Sequence, residues 1–291
     1  MNISQLATQR RIFTCRAGSH AYGLNTQTSD EDTRGVFVGL PDNTIGLYPV
    51  EHCEYDGDYM VYELRKFIVL AKDCNPNIIE LLYIDESDVL FSTTAWEKLR
   101  ERRDLFLTRR AKHTFSGYAT AQLKKIRGHN KWLQNPQPVE RPEPAKYLRV
   151  KFIEGLGEQE VFDQRAYDDA HRSWKQYWEW KENRNPTRAA MEADFGFDGK
   201  HATHSIRLLK MGHEILSGAG VQVKRADREE LLAIRRGEWS FERVTQYADE
   251  LMAQMDELYE TAPLPHSPDV KAINDLMLEI YRDYWRERGE F

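Results

Sequence analysis

Between Arg16 and Gly35 the chain reads RAGSHAYG, a short spacer, then SDEDTRG, and this stretch restricts the fold more than any other. RIFTCRAGS is a short strand candidate running into a Gly-Ser turn, and RGVFVGL is a second strand closed by Pro41-Asp42. Gly18 lets backbone approach a ligand closely, and Ser19 adds a hydroxyl beside free amides, the makings of a small phosphate cradle. Asp30 and Asp32 stand two apart at the entrance to the second strand, a period that puts both carboxylates on one face. Two carboxylates held side by side repel unless a cation joins them. Oxygen ligands at this spacing suit Mg²⁺, which takes one or two carboxylates, several waters and substrate phosphates. A lone Gly-Ser is usually a turn and a lone Asp-x-Asp a solvated loop. Strand, turn, spacer, acidic pair and second strand in succession point further than either part.

The surrounding pattern predicts an α/β (α+β) chain. DYMVYEL reads as another strand and passes into LRKFIVLAKD, where Leu64, Phe67, Ile68 and Leu70 or Ala71 have helical spacing. Asn75-Pro76 stops that helix and starts the next, NPNIIELLYI. After about residue 95 strand signals fade. TTAWEKLRERRDLFL, HTFSGYATAQLKKIRGHNKWL, HATHSIRLLKMGHEILSG and FERVTQYADELMAQMDELYETA all carry helical periodicity. NPQPVERPEPAKY, about 135–147, holds four prolines and is expected to be an extended loop. The reading is an α/β unit over 1–110 followed by a mainly helical unit over 111–291.

A chain of 291 residues has room for a sizeable core. No apolar run approaches the ~20 residues that span a bilayer, so no membrane association is expected. The opening MNISQLATQRRIFTC lacks the apolar segment of a secretion signal. Cys15, Cys53 and Cys74 are widely spaced, which argues against a disulfide framework or structural zinc and favours a reducing cytoplasm. The net charge of -6 means that any nucleic-acid contact would need a local basic patch.

GSHAYG with SDEDTRG resembles the signature of polymerase β superfamily nucleotidyltransferases, closest to the branch of predicted nucleotidyltransferases associated with bacterial and phage RNA repair. Looser similarity runs from about residue 10 to 245, through FSGYATAQLKK, RNPTRAAMEADFGFDGKHATHSIRLLKMGHEIL and LLAIRRGEWS. The resemblance implies an N-terminal catalytic domain with a mixed sheet, in which the Gly18-Ser19 turn holds a nucleoside triphosphate and Asp30 and Asp32 bind two Mg²⁺ (or Mn²⁺) ions. It also implies a third carboxylate on a later strand. Asp58 is the first choice, Glu63 the fallback and Asp56 the least favoured. Arg34 and Lys66 match basic positions of the family and are expected as phosphate counter-charges. Two metals about 4 Å apart would activate the attacking hydroxyl and stabilise departing pyrophosphate.

In the helical half, Lys200, His204 and Arg207 recur at i, i+4 and i+7 and share one helix face, a candidate grip for triphosphate or RNA phosphate. His201 and His204 have ligand spacing, yet no third ligand is apparent. Trp174, Tyr177, Trp178 and Trp180 suit either base stacking or packing. Lys124, Lys125, Arg127 and Lys131, with Arg109 and Arg110, form either a backbone strip or a solvated face. The expected activity is transfer of an NMP from an NTP to a hydroxyl, with an RNA or tRNA end as acceptor by family association. Protein nucleotidylation and a silent NTP or RNA sensor are the alternatives. Which NTP is used, whether a template is needed and the oligomeric state stay open.

Overall fold

Five short strands make the sheet on which everything else is arranged. The computed structural model describes residues 2–27, 29–56, 58–134, 136–184 and 196–290, with the side chains of 128–131, 133 and 134 outside that description. Lys131 and most of the RNPTRAAMEADF stretch, both singled out above, therefore lie outside the described residues. The strands are β1 (Arg11–Arg16), β2 (Thr33–Phe37), β3 (His52–Tyr55), β4 (Tyr59–Glu63) and β5 (Val89–Ser92), in the order β3-β4-β2-β1-β5. β2 runs parallel to β4, and the other neighbours pair antiparallel, so the sheet is mixed.

Alternation along the strands sends side chains to two apolar layers. Phe37, Val61 and Cys53 pack under the N-terminal helix α1 (Ile3–Gln9) with Leu6 and Ala7. The opposite face carries Phe13, Cys15, Val36 and Val38 into the main core. There Phe13 stacks on Trp96 at 3.8 Å between ring centroids, and Phe67 meets Trp96 edge-on. After the one-turn helices α2 (Gly18–Ala21) and α3 (Pro41–Ile45), that layer is covered by α4 (Leu64–Lys72), α5 (Pro76–Leu82) and α6 (Thr94–Glu101). Helix α4 buries Leu64, Phe67, Ile68 and Ala71, the stripe its spacing predicts. Asn75 caps α5 through its side chain, with Pro76 at the first helical position.

The later helices are α7 (Ala111–Gln134), α8 (Gln164–Glu182), α9 (Gly199–Ser217), α10 (Arg228–Arg235), α11 (Phe241–Thr261) and α12 (Val270–Glu287). Asp198 caps α9 at its start and left-handed Gly218 closes it. α9 is sandwiched between α7 and α11 so tightly that a Cβ on Gly212 would come within 2.6 Å of Met255 and 2.9 Å of Phe115. α12 returns to the sheet side, where the Trp285 indole donates to the Gly39 carbonyl at 2.9 Å and Lys98 pairs with Asp283 at 2.6 Å. Among the described residues no helix is long and apolar enough to cross a membrane.

One strand pair recurs beyond residue 95. β5 completes the sheet, and Leu148–Ile153 (β6) pairs with Gly157–Phe162 (β7) in an antiparallel ribbon inside the helical half. That ribbon is exposed along nearly all its length and has no core face to mark it, and the proline run just ahead reads as loop. All three cysteines are buried and free.

Candidate active site

Gly18 is where backbone and carboxylate come closest. Its φ of +59° suits glycine, and a Cβ there would sit 2.0 Å from Asp32 Oδ2. The Ala17 amide donates to the Asp32 carbonyl at 2.8 Å, tying the Gly-Ser turn to the acidic stretch. α2 is a single turn whose closing bonds, Tyr22 N–H to Gly18 O and Leu24 N–H to Ser19 O, hold Ser19 in place. Asp30 and Asp32 lie in the chain entering β2, and Asp58 lies in the chain entering β4. The parallel register pairs Thr33 with Tyr59, so Asp32 and Asp58 stand one step before the same rung. Asp58 has a φ of 55° and its carbonyl accepts from the Arg34 guanidinium. A non-glycine residue held there is a strained position fixed by its surroundings.

These residues open onto one hollow of about 280 Å³, lined on this side by Gly18, Ser19, Asp30, Asp32 and Asp58. Neighbouring Glu31 is engaged by Arg16 at 3.0 Å, but among the described residues no ion pair engages Asp30, Asp32 or Asp58. Nor, among the described residues, do three His, Cys, Asp or Glu side chains converge tightly enough to cage a metal alone. An open set of hard carboxylate oxygens beside a close backbone approach fits Mg²⁺, which keeps waters and binds substrate phosphates. It does not fit zinc, which calls for thiolate or imidazole ligands.

The far side of the hollow comes from α9 and α10: Lys200, Thr203, His204, Arg207 and Arg235. Arg207 is 1% exposed. It pairs with Glu80 of α5 at 2.5 Å and stacks over Tyr22, whose hydroxyl donates to the other Glu80 oxygen at 2.6 Å. Burial opposes the Arg207 charge, and the Glu80 carboxylate outweighs it and raises the pKa. Arg207 also lies 3.1 Å from His204 Nδ1. A guanidinium only donates, so Nδ1 accepts and the imidazole proton sits on Nε2. Burial, followed by the charges of Arg207, His201, Lys125 and Lys200, pushes His204 down to about 3. His204 is thus a neutral Nε2–H donor on the wall of the hollow.

Other residues named from sequence stand elsewhere. Lys66 pairs with Glu51 at 2.8 Å on a different hollow, and Arg34 faces a neighbouring one. Glu63, the fallback acid, ends β4 and caps α4, accepting from Tyr281 at 2.6 Å and from the Gly39 and Arg65 amides. Its burial raises its pKa against those hydrogen bonds. Asp56 does not line the hollow. His201 is held by its own helix cap, Asp198, at 2.6 Å. Arg109 ties down carbonyls at the end of α11, and Arg110 pairs with Asp73. The indoles of Trp174 and Trp178 both donate to the Pro138 carbonyl, and Tyr177 is buried, so this cluster packs the proline-rich segment against α8.

Arg235 escaped sequence reasoning. It is half-buried on the hollow, donates to the Leu24 carbonyl at 2.9 Å, and has no carboxylate partner among the described residues. Burial alone lowers its pKa. The only signal was its place in LLAIRRGEWS, where nothing distinguishes it from Arg236, which pairs with Glu238.

Searches of curated proteins and of solved structures each return no match. A family model described as RlaP, RNA repair pathway DNA polymerase beta family, matches residues 2–279. A mixed sheet with its acidic pair entering β2 and a helical half closing the hollow agrees with that assignment. The chain belongs to the RNA repair pathway DNA polymerase beta family.

Proposed function

We propose that the hollow is the active site of a metal-dependent nucleotidyltransferase that moves an NMP from an NTP to a hydroxyl, with an RNA or tRNA end as the acceptor. The observation that carries this reading is the joint lining of one hollow by Gly18, Ser19, Asp30, Asp32 and Asp58, with cationic and neutral donors opposite. Asp30, Asp32 and Asp58 would hold Mg²⁺. Such an ion supplies Lewis-acid stabilisation at the reacting phosphate and eases deprotonation of the attacking hydroxyl.

The chain's own groups do the rest. The Gly18 backbone and the Ser19 hydroxyl cradle the β- and γ-phosphates. Lys200, Arg235 and the His204 Nε2–H meet the oxygens from the far wall, with Arg207 positioning His204. The acceptor oxygen forms a bond to the α-phosphorus while the bond to the β-phosphate oxygen breaks, and pyrophosphate leaves with the electron pair. The choice of an RNA acceptor follows from the RNA repair family.

The test is incubation of the full chain with each labelled NTP, Mg²⁺ or Mn²⁺, total tRNA and cellular protein. Label is expected on RNA and is expected to fall about 10³-fold or more in Asp30→Ala/Asp32→Ala, a loss of about 4 kcal/mol of transition-state stabilisation. Label on protein would transfer the proposal to protein nucleotidylation. NTP binding without transfer to any acceptor would make the chain a sensor and overturn it.

A further inference from the structure

A second polar hollow adjoins the first. It measures about 180 Å³ and shares Gly18 and Tyr22 with its neighbour. Arg34, Tyr62 and Asn77 supply its polar lining together with Glu80. Both Glu80 oxygens are already taken, one by Arg207 and one by Tyr22. Arg34 spends one nitrogen on the Thr33 and Asp58 carbonyls, while its Nε and Nη2 have no partner among the described residues. It has no carboxylate partner there either. The Tyr62 hydroxyl and the Asn77 side-chain amide likewise make no hydrogen bond among the described residues. Arg34, Tyr62 and Asn77 thus line one hollow with donors open to an incoming polar ligand.

On the strands, Asp32 and Arg34 alternate onto the face that carries Asp58 and Tyr62. The hollow therefore continues the candidate active site along the sheet. On α7, the Tyr118 hydroxyl accepts from the Asn75 side chain at 2.9 Å. Farther along α7, exposed Lys124, Lys125 and Arg127 have no carboxylate partner among the described residues. In a chain of net charge -6, a run of unpaired cations suits a string of phosphates better than a single nucleotide.

We propose that this second hollow seats the terminal nucleotide of a single-stranded RNA acceptor, its phosphate on Arg34 and its base against Tyr62. The proposal rests on the function given above. In-line displacement requires the acceptor hydroxyl opposite the departing pyrophosphate. Lys200, His204 and Arg235 take the triphosphate on one side, so the acceptor arrives from the side of Asp58, whose carbonyl Arg34 holds. Arg34 thereby links acceptor seating to the placement of the third carboxylate.

The test uses the full chain and a fluorescein-labelled single-stranded oligoadenylate with a free 3′ hydroxyl, followed by anisotropy across a salt series. ATP binding is measured separately by calorimetry with Mg²⁺. Arg34→Gln is expected to weaken oligoadenylate binding about tenfold or more and to lower the salt slope by about one. Tyr62→Leu is expected to weaken it comparably with the slope and the ATP affinity unchanged, as loss of a stacking platform requires. Melting curves matching the parent show that both variants fold. The proposal is overturned if wild type does not bind the oligonucleotide, if both folded variants bind it normally, or if ATP binding falls in step in Tyr62→Leu. RNA binding that depends on Arg34 and Tyr62 without nucleotide transfer would sink the proposed function and leave this subsite standing. Transfer to RNA that ignores both substitutions would do the reverse.

Discussion

Asp30, Asp32 and Asp58 reach the hollow from chain entering two strands, and no described residue neutralises them. Across from them, Arg207 is 1% exposed and is held by a carboxylate, an aromatic face and an imidazole. One wall is left incomplete in charge, while the buried guanidinium of the other is completed internally before any ligand arrives. Carboxylates without partners await an external cation. A guanidinium with every neighbour assigned fixes the position of other groups instead of gripping substrate. Arg235 falls between these extremes. It has one carbonyl to orient it and no carboxylate to cancel it.

That contrast breaks most readily at the buried pair. Arg207→Met strands Glu80 among apolar neighbours and is expected to cost about 3–5 kcal/mol in a denaturant titration. Glu80→Gln/Arg207→Met should lose less than the sum of the single changes, since the two residues share one interaction. Additive losses would mean that the pair is not coupled. Arg235→Gln gives a smaller and different effect: stability within about 0.5 kcal/mol of the parent, with the KM for NTP raised about tenfold. An unchanged KM would remove Arg235 from the substrate-facing wall.

The gentlest probe is pH. Burial and the surrounding positive charges take His204 from 6.5 to about 3. As pH falls below 6.5 the unfolded chain gains a proton that the folded chain refuses, so this contribution to stability is full above 6.5 and is lost on the way down to about 3. His204→Gln, which keeps a donor at the Nε2 position, should flatten that acid decline when unfolding free energy is followed against pH. A decline identical to the parent's would show that His204 is not held neutral.

The N-terminal part of this arrangement was legible because it is local. Gly18, Ser19, Asp30 and Asp32 fall within fifteen residues, and the strands on either side were readable from alternation and turn residues. Asp58 was nameable but not separable from Glu63, because both flank the same strand. The parallel pairing of β2 with β4 puts Asp58 at the rung beside Asp32, and the α4 cap claims Glu63. On α9, spacing placed Lys200, His204 and Arg207 on one face. It did not reveal that Glu80 and Tyr22, from elements more than a hundred residues earlier, would take up Arg207.

By itself, the sequence determined which oxygen donors and which turn would be neighbours, because a strand period and a tight turn act over a few residues. It also determined the helical stripes, including the one that α4 buries. Only the tertiary structure decided which charges would be cancelled. Arg207 in the middle of α9 and Arg235 at the end of α10 sit on successive helices and line one hollow, yet one meets a carboxylate and the other a lone carbonyl. Whether a cation is spent inside the fold or left facing a ligand depends on what distant chain packs within a few ångströms of it. Coulomb energy at short range in a dry interior is steep, so that single approach sets the residue's role.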